Sequence, residues 1–305
     1  MRSGTGMVSP STSSAPGSRS GTATGKARVL LEMIKWEHTV FALPFAYAGM
    51  LAAPVPLSIW NFIWVTVAMI GARTAGMSLN RIIDARIDAR NPRTADRAIP
   101  KGLVGLREAW LFTGVAVALL VLSTLFLAPI TRVLWPLVVL GFVVYPYTKR
   151  FTWLCHLALG VANGLAPGAA WVAVTGDISW TPVFIWVAAA LWVGGFDVIY
   201  ALLDRDFDLE NRVNSLPARF GIGPALVVSR VWHALSVVFL VAFGIAAGLG
   251  AVYYLGVVVV AWLLFYEQSL VRENDLSKLN MAFFTMNGVI SAIFFAFVLL
   301  DGVIS

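Results

Sequence analysis

Two stretches of the sequence set oxygen-bearing side chains at helical spacing. The first holds Asn80, Asp84 and Asp88, and the second holds Asp197, Asp204 and Asp208. Residues four apart lie near one face of a helix, and two further turns return to nearly the same face. Each set therefore forms a polar stripe. Mg²⁺ suits such a stripe: it takes oxygen ligands, keeps several waters, and binds through one or two carboxylates plus substrate phosphates. Two facing stripes can grip a diphosphate through bridging metal ions. Nearby cations can neutralise the remaining charge and stabilise a leaving group. Arg93 and Arg97 follow the first stripe, Arg212 and Arg219 follow the second, and Lys149 ends another apolar run. Arg73 lies two turns before Asn80, and Tyr200 lies beside the second stripe, where it can stack on a cation or an aromatic ring.

The elements that position these residues are apolar helices. The chain of 305 residues is 59% hydrophobic and 12% charged. Soluble domains carry roughly 45–50% apolar and about 25% charged residues, so too little polar surface remains to cover a water-soluble particle. Long apolar runs alternate with short polar breaks, and the sequence predicts an all-α polytopic membrane bundle of about nine spans: 36–54, 58–82, 107–127, 132–148, 152–175, 181–203, 225–248, 251–270 and 280–302. Inside such spans an ionisable group costs roughly 2.5–3.5 kcal/mol. Arg73 and Asp197 therefore call for a functional reason.

Residues 1–27 are rich in Ser, Gly, Thr and Pro, with no apolar run long enough for a signal peptide, and are expected to form a disordered cytoplasmic tail. Residues 28–305 form the membrane domain. With the N-terminus in the cytoplasm, every Lys and Arg except Arg73 and Arg132 falls on or next to a cytoplasmic segment, out of 22 in total. The two long polar loops, 83–106 and 204–224, then share the cytoplasmic face of the plasma or inner membrane. The net charge of +6 thus reads as membrane orientation, and no nucleic-acid partner is expected. One cysteine, Cys155, excludes a disulfide framework and a thiolate metal site, and the scattered His38, His156 and His233 argue against a histidine-based one.

The stretch from Asn80 through Asp88 to Asn91-Pro92-Arg93-Thr94 and Arg97-x-x-Pro100-Lys101-Gly102 resembles the first motif of the UbiA superfamily of membrane prenyltransferases. The stretch Asp197-Val-Ile-Tyr200-Ala-x-x-Asp204-x-x-x-Asp208, ending in Ser215-x-Pro-Ala-Arg219-Phe-Gly221, resembles its second. That resemblance covers about residues 30–302. It implies a helical bundle around a central cavity capped by the two loops, and Mg²⁺-dependent transfer of a prenyl group from a polyprenyl diphosphate to an acceptor. By that likeness Asn80, Asp84 and Asp88 would hold one metal ion, and Asp204 and Asp208 the other. The segments Glu37-His38-Thr39-Val-Phe41-Ala-Leu43-Pro44-Phe45 and Tyr145-Pro-Tyr147-Thr-Lys149-Arg150 resemble the 4-hydroxybenzoate polyprenyltransferase branch, which includes relatives acting on naphthoate acids in menaquinone synthesis. Both acceptors are aromatic acids, and a carboxylate in a low-dielectric cavity needs a cationic partner; Arg73 is the candidate, and Tyr200, beside the second acidic stripe, is a further acceptor contact. Phe196 stands where many relatives have Tyr, and Asn214 where a basic residue is common.

Two other classes share some of these features. A secondary transporter would use Asp197 and Arg73 as coupling residues, with internal repeats and broken helices, but here the acids cluster at helix ends and no strong inverted repeat is seen. A CDP-alcohol phosphotransferase would carry one tight run of acids, not two separated clusters. Other branches of the superfamily are separated by their acceptors.

Overall fold

A computed structural model describes residues 23–56 and 58–304, apart from the side chains of residues 23–24, 36–41 and 284. The expected tail, residues 1–22, lies outside the described residues, as do the side chains of the 37–41 segment. Residues 23–27, assigned to that tail, instead open a helix. The chain forms α1 (Ala23–Met33), α2 (Trp36–Leu51), α3 (Ile59–Ile83), α4 (Ala85–Asp88), α5 (Leu106–Thr124), α6 (Thr131–Thr148), α7 (Cys155–Asn163), α8 (Ala166–Thr175) and α9 (Trp180–Ala201). It continues through α10 (Arg205–Asn211), α11 (Leu216–Phe220), α12 (Ile222–Ala247), α13 (Ala251–Ser269) and α14 (Asn287–Ile304), the last preceded by a π-helical turn, Met281–Met286.

Among the described residues, eight segments are long and apolar enough to cross a bilayer. The expected first span is represented by α2, a 16-residue helix containing Pro44. At about 1.5 Å per residue it is shorter than the roughly 20-residue crossing length. The chain is an integral membrane protein. Its outer surface shows why: Leu111 is 72% exposed, Phe265 74% and Val133 68%. Such a surface is stable only against hydrocarbon.

Polar side chains join the helices at several buried points, as a bilayer favours. The carboxylate of Asp301 on α14 accepts from the backbone N–H groups of Gly250 (2.8 Å) and Tyr253 (3.0 Å). It thereby caps the N-terminus of α13, where free donors and the helix dipole favour a negative charge. Gln268 donates to Ser229 (2.8 Å), joining α13 to α12. Positive φ at Gly176 (75°) and Gly248 (67°) ends α8 and α12.

The fifth expected span is two helices. α7 stops at Asn163, and α8 begins at Ala166 with Pro167 in its first turn, where a missing N–H does no harm. Before the break, α7 packs on α9 through His156, Gly160 and Gly164 at successive turns. A Cβ on Gly160 would meet the Ala190 carbonyl, and one on Gly164 would lie 2.5 Å from the Ala190 nitrogen. Small residues let backbones meet this closely in membranes. Gly160→Ala is therefore expected to lower the melting temperature in detergent by roughly 2–10 °C, the cost of overpacking a close helix contact. An unchanged melting curve would contradict the contact.

Candidate active site at the ends of α3 and α9

The first acidic stripe is not one straight helix. α3 ends at Ile83, and Asp84 takes φ −92° and ψ 1° before α4 restarts at Ala85. The Asp88 N–H still donates to the Asp84 carbonyl at 2.8 Å, so the four-residue spacing survives the bend. Asn80 Nδ2 donates to Asp84 Oδ2 at 2.9 Å, and Lys149 Nζ, from the end of α6, reaches the same oxygen at 2.7 Å. The other oxygen, Asp84 Oδ1, is buried with no hydrogen-bond partner; Arg150 Nη2 stays 3.9 Å away. Burial pushes the Asp84 carboxyl above its ordinary range, while the Lys149 ammonium draws it back down. Asp88 is 4% exposed and accepts from Arg97 Nη1 at 2.7 Å on each oxygen.

The second stripe leaves α9 through a 3₁₀ turn, Leu202–Asp204, into α10. Asp204 is gripped by the first loop. Arg93 Nε donates to it at 2.8 Å, Arg93 Nη2 pairs with its other oxygen, and Asn91 Nδ2 donates at 2.8 Å. Arg93 also donates through Nη1 to the Tyr200 hydroxyl at 2.8 Å, and its guanidinium carbon lies 4.8 Å from that ring's centre. Burial disfavours the Arg93 charge, yet the Asp204 carboxylate outweighs it and raises the group above its ordinary value. Tyr200 in turn stacks on Phe283, with ring centres 4.0 Å apart. The two loops, expected to share one face, are thus strapped together. Asp208 is buried in the next turn.

Deeper in the bundle lie the two intramembrane charges. Asp197 Oδ2 is 2.7 Å from His156 Nδ1, and the Leu216 N–H donates to His156 Nε2 at 3.3 Å. Since Nε2 accepts, the proton belongs on Nδ1, which donates to Asp197. Arg73 Nη1 donates to Asn163 Oδ1 at 3.0 Å, and Arg73 Nε is buried without a partner. Both residues border an apolar cavity of about 520 Å³, walled by Met69, Leu120, Leu134, Phe142 and Trp186. The break after Asn163 thus sits beside the intramembrane arginine.

The structure brings Arg93, Arg97 and Lys149 onto the carboxylates. Arg212 instead lines a neighbouring crevice that Lys149 also borders, and Arg219 is exposed on α11 with no ion pair among the described residues. His156 and Asn91 carry no role in the sequence reading. Asp197 and His156 are 41 residues apart, and no spacing rule joins them; the only local signal is a histidine at the head of an apolar run. Asn91 is visible as the residue before Pro92 in the first motif.

Among the described residues, no group of three or more His, Cys, Asp or Glu side chains is gathered into a metal cage. The donors present, carboxylates and an amide oxygen, are hard, and the unpartnered Asp84 Oδ1 is a ready ligand atom. The residues fit the ion.

Fold and loops together define a helical membrane protein that sets an acidic and basic head-group site above an arginine-bearing apolar pocket, open on the side of Leu137 and Ile178. The sequence model of the UbiA prenyltransferase family matches residues 42–295, and the chain belongs to that family. It is similar to a 4-hydroxybenzoate octaprenyltransferase of Vibrio campbellii (strain ATCC BAA-1116), 35% identical over 256 residues that cover 82% of this chain and 86% of the relative. A 4-hydroxybenzoate octaprenyltransferase of Marinobacter nauticus is 34% identical, covering 82% and 85%. Among solved structures, the apo form of a UbiA homolog from Aeropyrum pernix K1 superposes with a TM-score of 0.79 at 36% identity, over 87% of this chain and 98% of that one. A UbiA homolog from Archaeoglobus fulgidus bound to GPP and Mg²⁺ shares the fold, with a TM-score of 0.68 at 19% identity, over 90% and 99%.

Proposed function

We propose that this protein transfers a polyprenyl group from polyprenyl diphosphate to the ring of an aromatic acid of the 4-hydroxybenzoate type, with Mg²⁺, at the cytoplasmic face of the plasma membrane. The observation that carries this reading is the vertical order of the site. On α3, Arg73 lies eleven residues, or roughly 16 Å, deeper than Asp84; on α9, Asp197 lies seven residues, or roughly 10 Å, deeper than Asp204. From the loops inward, the order is head-group carboxylates, then Asp197, then Arg73. An aromatic acid anchored by its carboxylate on Arg73 would turn its phenol end toward Asp197 and the loops. The names of the relatives at 34–35% identity support the same acceptor.

Asn80, Asp84 and Asp88 would hold one Mg²⁺, and Asp204 and Asp208 the other. Bound there, Mg²⁺ supplies charge neutralisation for the diphosphate as it leaves. Arg93, Arg97 and Lys149, now spent on carboxylates, are close enough to turn onto the diphosphate instead. The substrate's C1–O bond breaks, diphosphate departs with the bonding pair, and a ring carbon forms the new bond to C1. The ring then loses a proton to restore aromaticity, and we assign Asp197 to accept it. His156 would act as a positioning residue, holding one Asp197 oxygen at 2.7 Å.

His156→Asn is expected to lower kcat roughly ten- to hundredfold, since a hydrogen bond to a charged group contributes about 1.5–3 kcal/mol. The KM for the prenyl diphosphate should hardly change, and the alkaline-to-acid profile of kcat should shift. A purely structural His156 would lower the folded fraction without moving the profile. The acceptor is tested by offering 4-hydroxybenzoate and a naphthoate acid to membranes with one prenyl diphosphate. Preferred extraction of a prenylated benzoate supports the reading. Preference for the naphthoate acid would keep the mechanism and move the protein to menaquinone synthesis.

A further inference from the structure

Outside the proposed site, a crevice of about 590 Å³ opens between the loop-side ends of α5 and α6. Its walls are apolar: Leu106 and Trp110 from α5 face Val143 and Tyr147 from α6. Its rim is cationic, with Arg86, Arg90, Arg150 and Arg212, and none of the lining residues is acidic. Arg86, Arg90 and Arg212 form no ion pair among the described residues, and both Arg86 and Arg90 are exposed. Lys149 and Arg150 also line the crevice, but Lys149 is directed to Asp84 at 2.7 Å and Arg150 donates to the Ile83 carbonyl at 2.7 Å, so the uncommitted charge belongs to Arg86, Arg90 and Arg212. Leu106 is 52% exposed and Trp110 53%, and the next residue, Leu111, is 72% exposed. The apolar walls therefore run on into the bilayer-facing surface of α5.

We propose that this crevice holds one anionic glycerophospholipid of the surrounding leaflet. Its phosphate sits on Arg86, Arg90, Arg150 and Arg212, and the upper part of an acyl chain lies between α5 and α6. An unpaired guanidinium fork at the membrane surface matches a phosphate in geometry and charge. The absence of carboxylates among the lining residues argues for a phospholipid over the prenyl diphosphate, because no group there would hold a metal ion for a diphosphate. The bilayer supplies phospholipid in large excess, and the crevice is continuous with it.

The test is native mass spectrometry of the full chain in mild detergent, titrated with palmitoyl-oleoyl phosphatidylglycerol and, separately, with the matching phosphatidylcholine. Wild type should retain phosphatidylglycerol in preference to phosphatidylcholine. The R86Q/R90Q double variant should lose roughly ten- to thirtyfold in phosphatidylglycerol affinity, from two basic contacts at a membrane surface, with an unchanged melting temperature. Equal binding of the two lipids, or undiminished phosphatidylglycerol binding by R86Q/R90Q, would overturn the proposal. Geranylgeranyl diphosphate added as competitor should leave the phosphatidylglycerol adduct in place. Displacement would overturn the phospholipid assignment and make the crevice a vestibule for substrate.

Discussion

Asp84→Ala and Asp204→Ala are each expected to cost at least a hundredfold to a thousandfold in kcat if these residues hold the proposed metal ions, since a catalytic metal contributes several kcal/mol and about 1.4 kcal/mol is a factor of ten. The protein should still insert, because neither residue sits among the apolar contacts that pack the spans. Asp84 is 1% exposed and keeps one oxygen without a partner, so its removal takes away a ligand atom directly. Asp204 has a second role, since Arg93 and Asn91 clasp it and close one loop on the other. Asp204→Asn keeps an acceptor for Asn91 and Arg93 Nε but loses the oxygen that Arg93 Nη2 meets and the charge that a metal ion requires. Failure of the Asn variant with restored activity at raised Mg²⁺ indicates a metal ligand. Activity in Asp204→Asn alone would reduce Asp204 to a clasp, and near-normal turnover in Asp84→Ala would remove the metal assignment.

Arg73→Ala should raise the KM for the aromatic acid roughly thirtyfold to a thousandfold, the cost of leaving one partner of a buried charge pair alone. The KM for the prenyl diphosphate should stay near its wild-type value, because Arg73 lies about two helical turns below Asn80. Arg73→Lys should recover only part of the loss, since an ammonium lacks the planar fork that matches a carboxylate. The geometry gives this prediction its force. Asn163 occupies Nη1, Nε is buried without a partner, and no carboxylate among the described residues pairs with Arg73. A structural salt bridge, the competing explanation, is therefore absent among the described residues. An unchanged acceptor KM in Arg73→Ala would end the carboxylate-anchor role.

Local spacing made parts of this site legible. Asn80, Asp84 and Asp88 are readable because four-residue spacing is a property of the helix itself, and the positive charges are readable as a group because they gather on one face. The bend at Asp84 was not readable, since no glycine or proline marks it. Nor were the pairings. Lys149 meets Asp84 across 65 residues and Arg93 meets Asp204 across 111, and only the packing of α3, α6 and α9 decides such contacts. The sequence placed Arg212 with the diphosphate because it follows the second motif. In the fold, α10 ends at Asn211 and carries Arg212, in a left-handed conformation at φ 55°, to the outer crevice. The fifth span read as one apolar run although Gly164 and Pro167 stood in it, because hydropathy is blind to a break that keeps the same composition. His156 was set aside for want of a second histidine, but its partner is a carboxylate on another helix.

Membranes carrying the protein are incubated with a long-chain prenyl diphosphate, radiolabelled 4-hydroxybenzoate and Mg²⁺, with and without EDTA. A solvent-extractable prenylated product is expected to form with Mg²⁺, to stop with EDTA, and to be missing in Asp84→Ala. Product that persists in EDTA, or no product with any aromatic acid while the wild-type chain is folded, would contradict the proposed function.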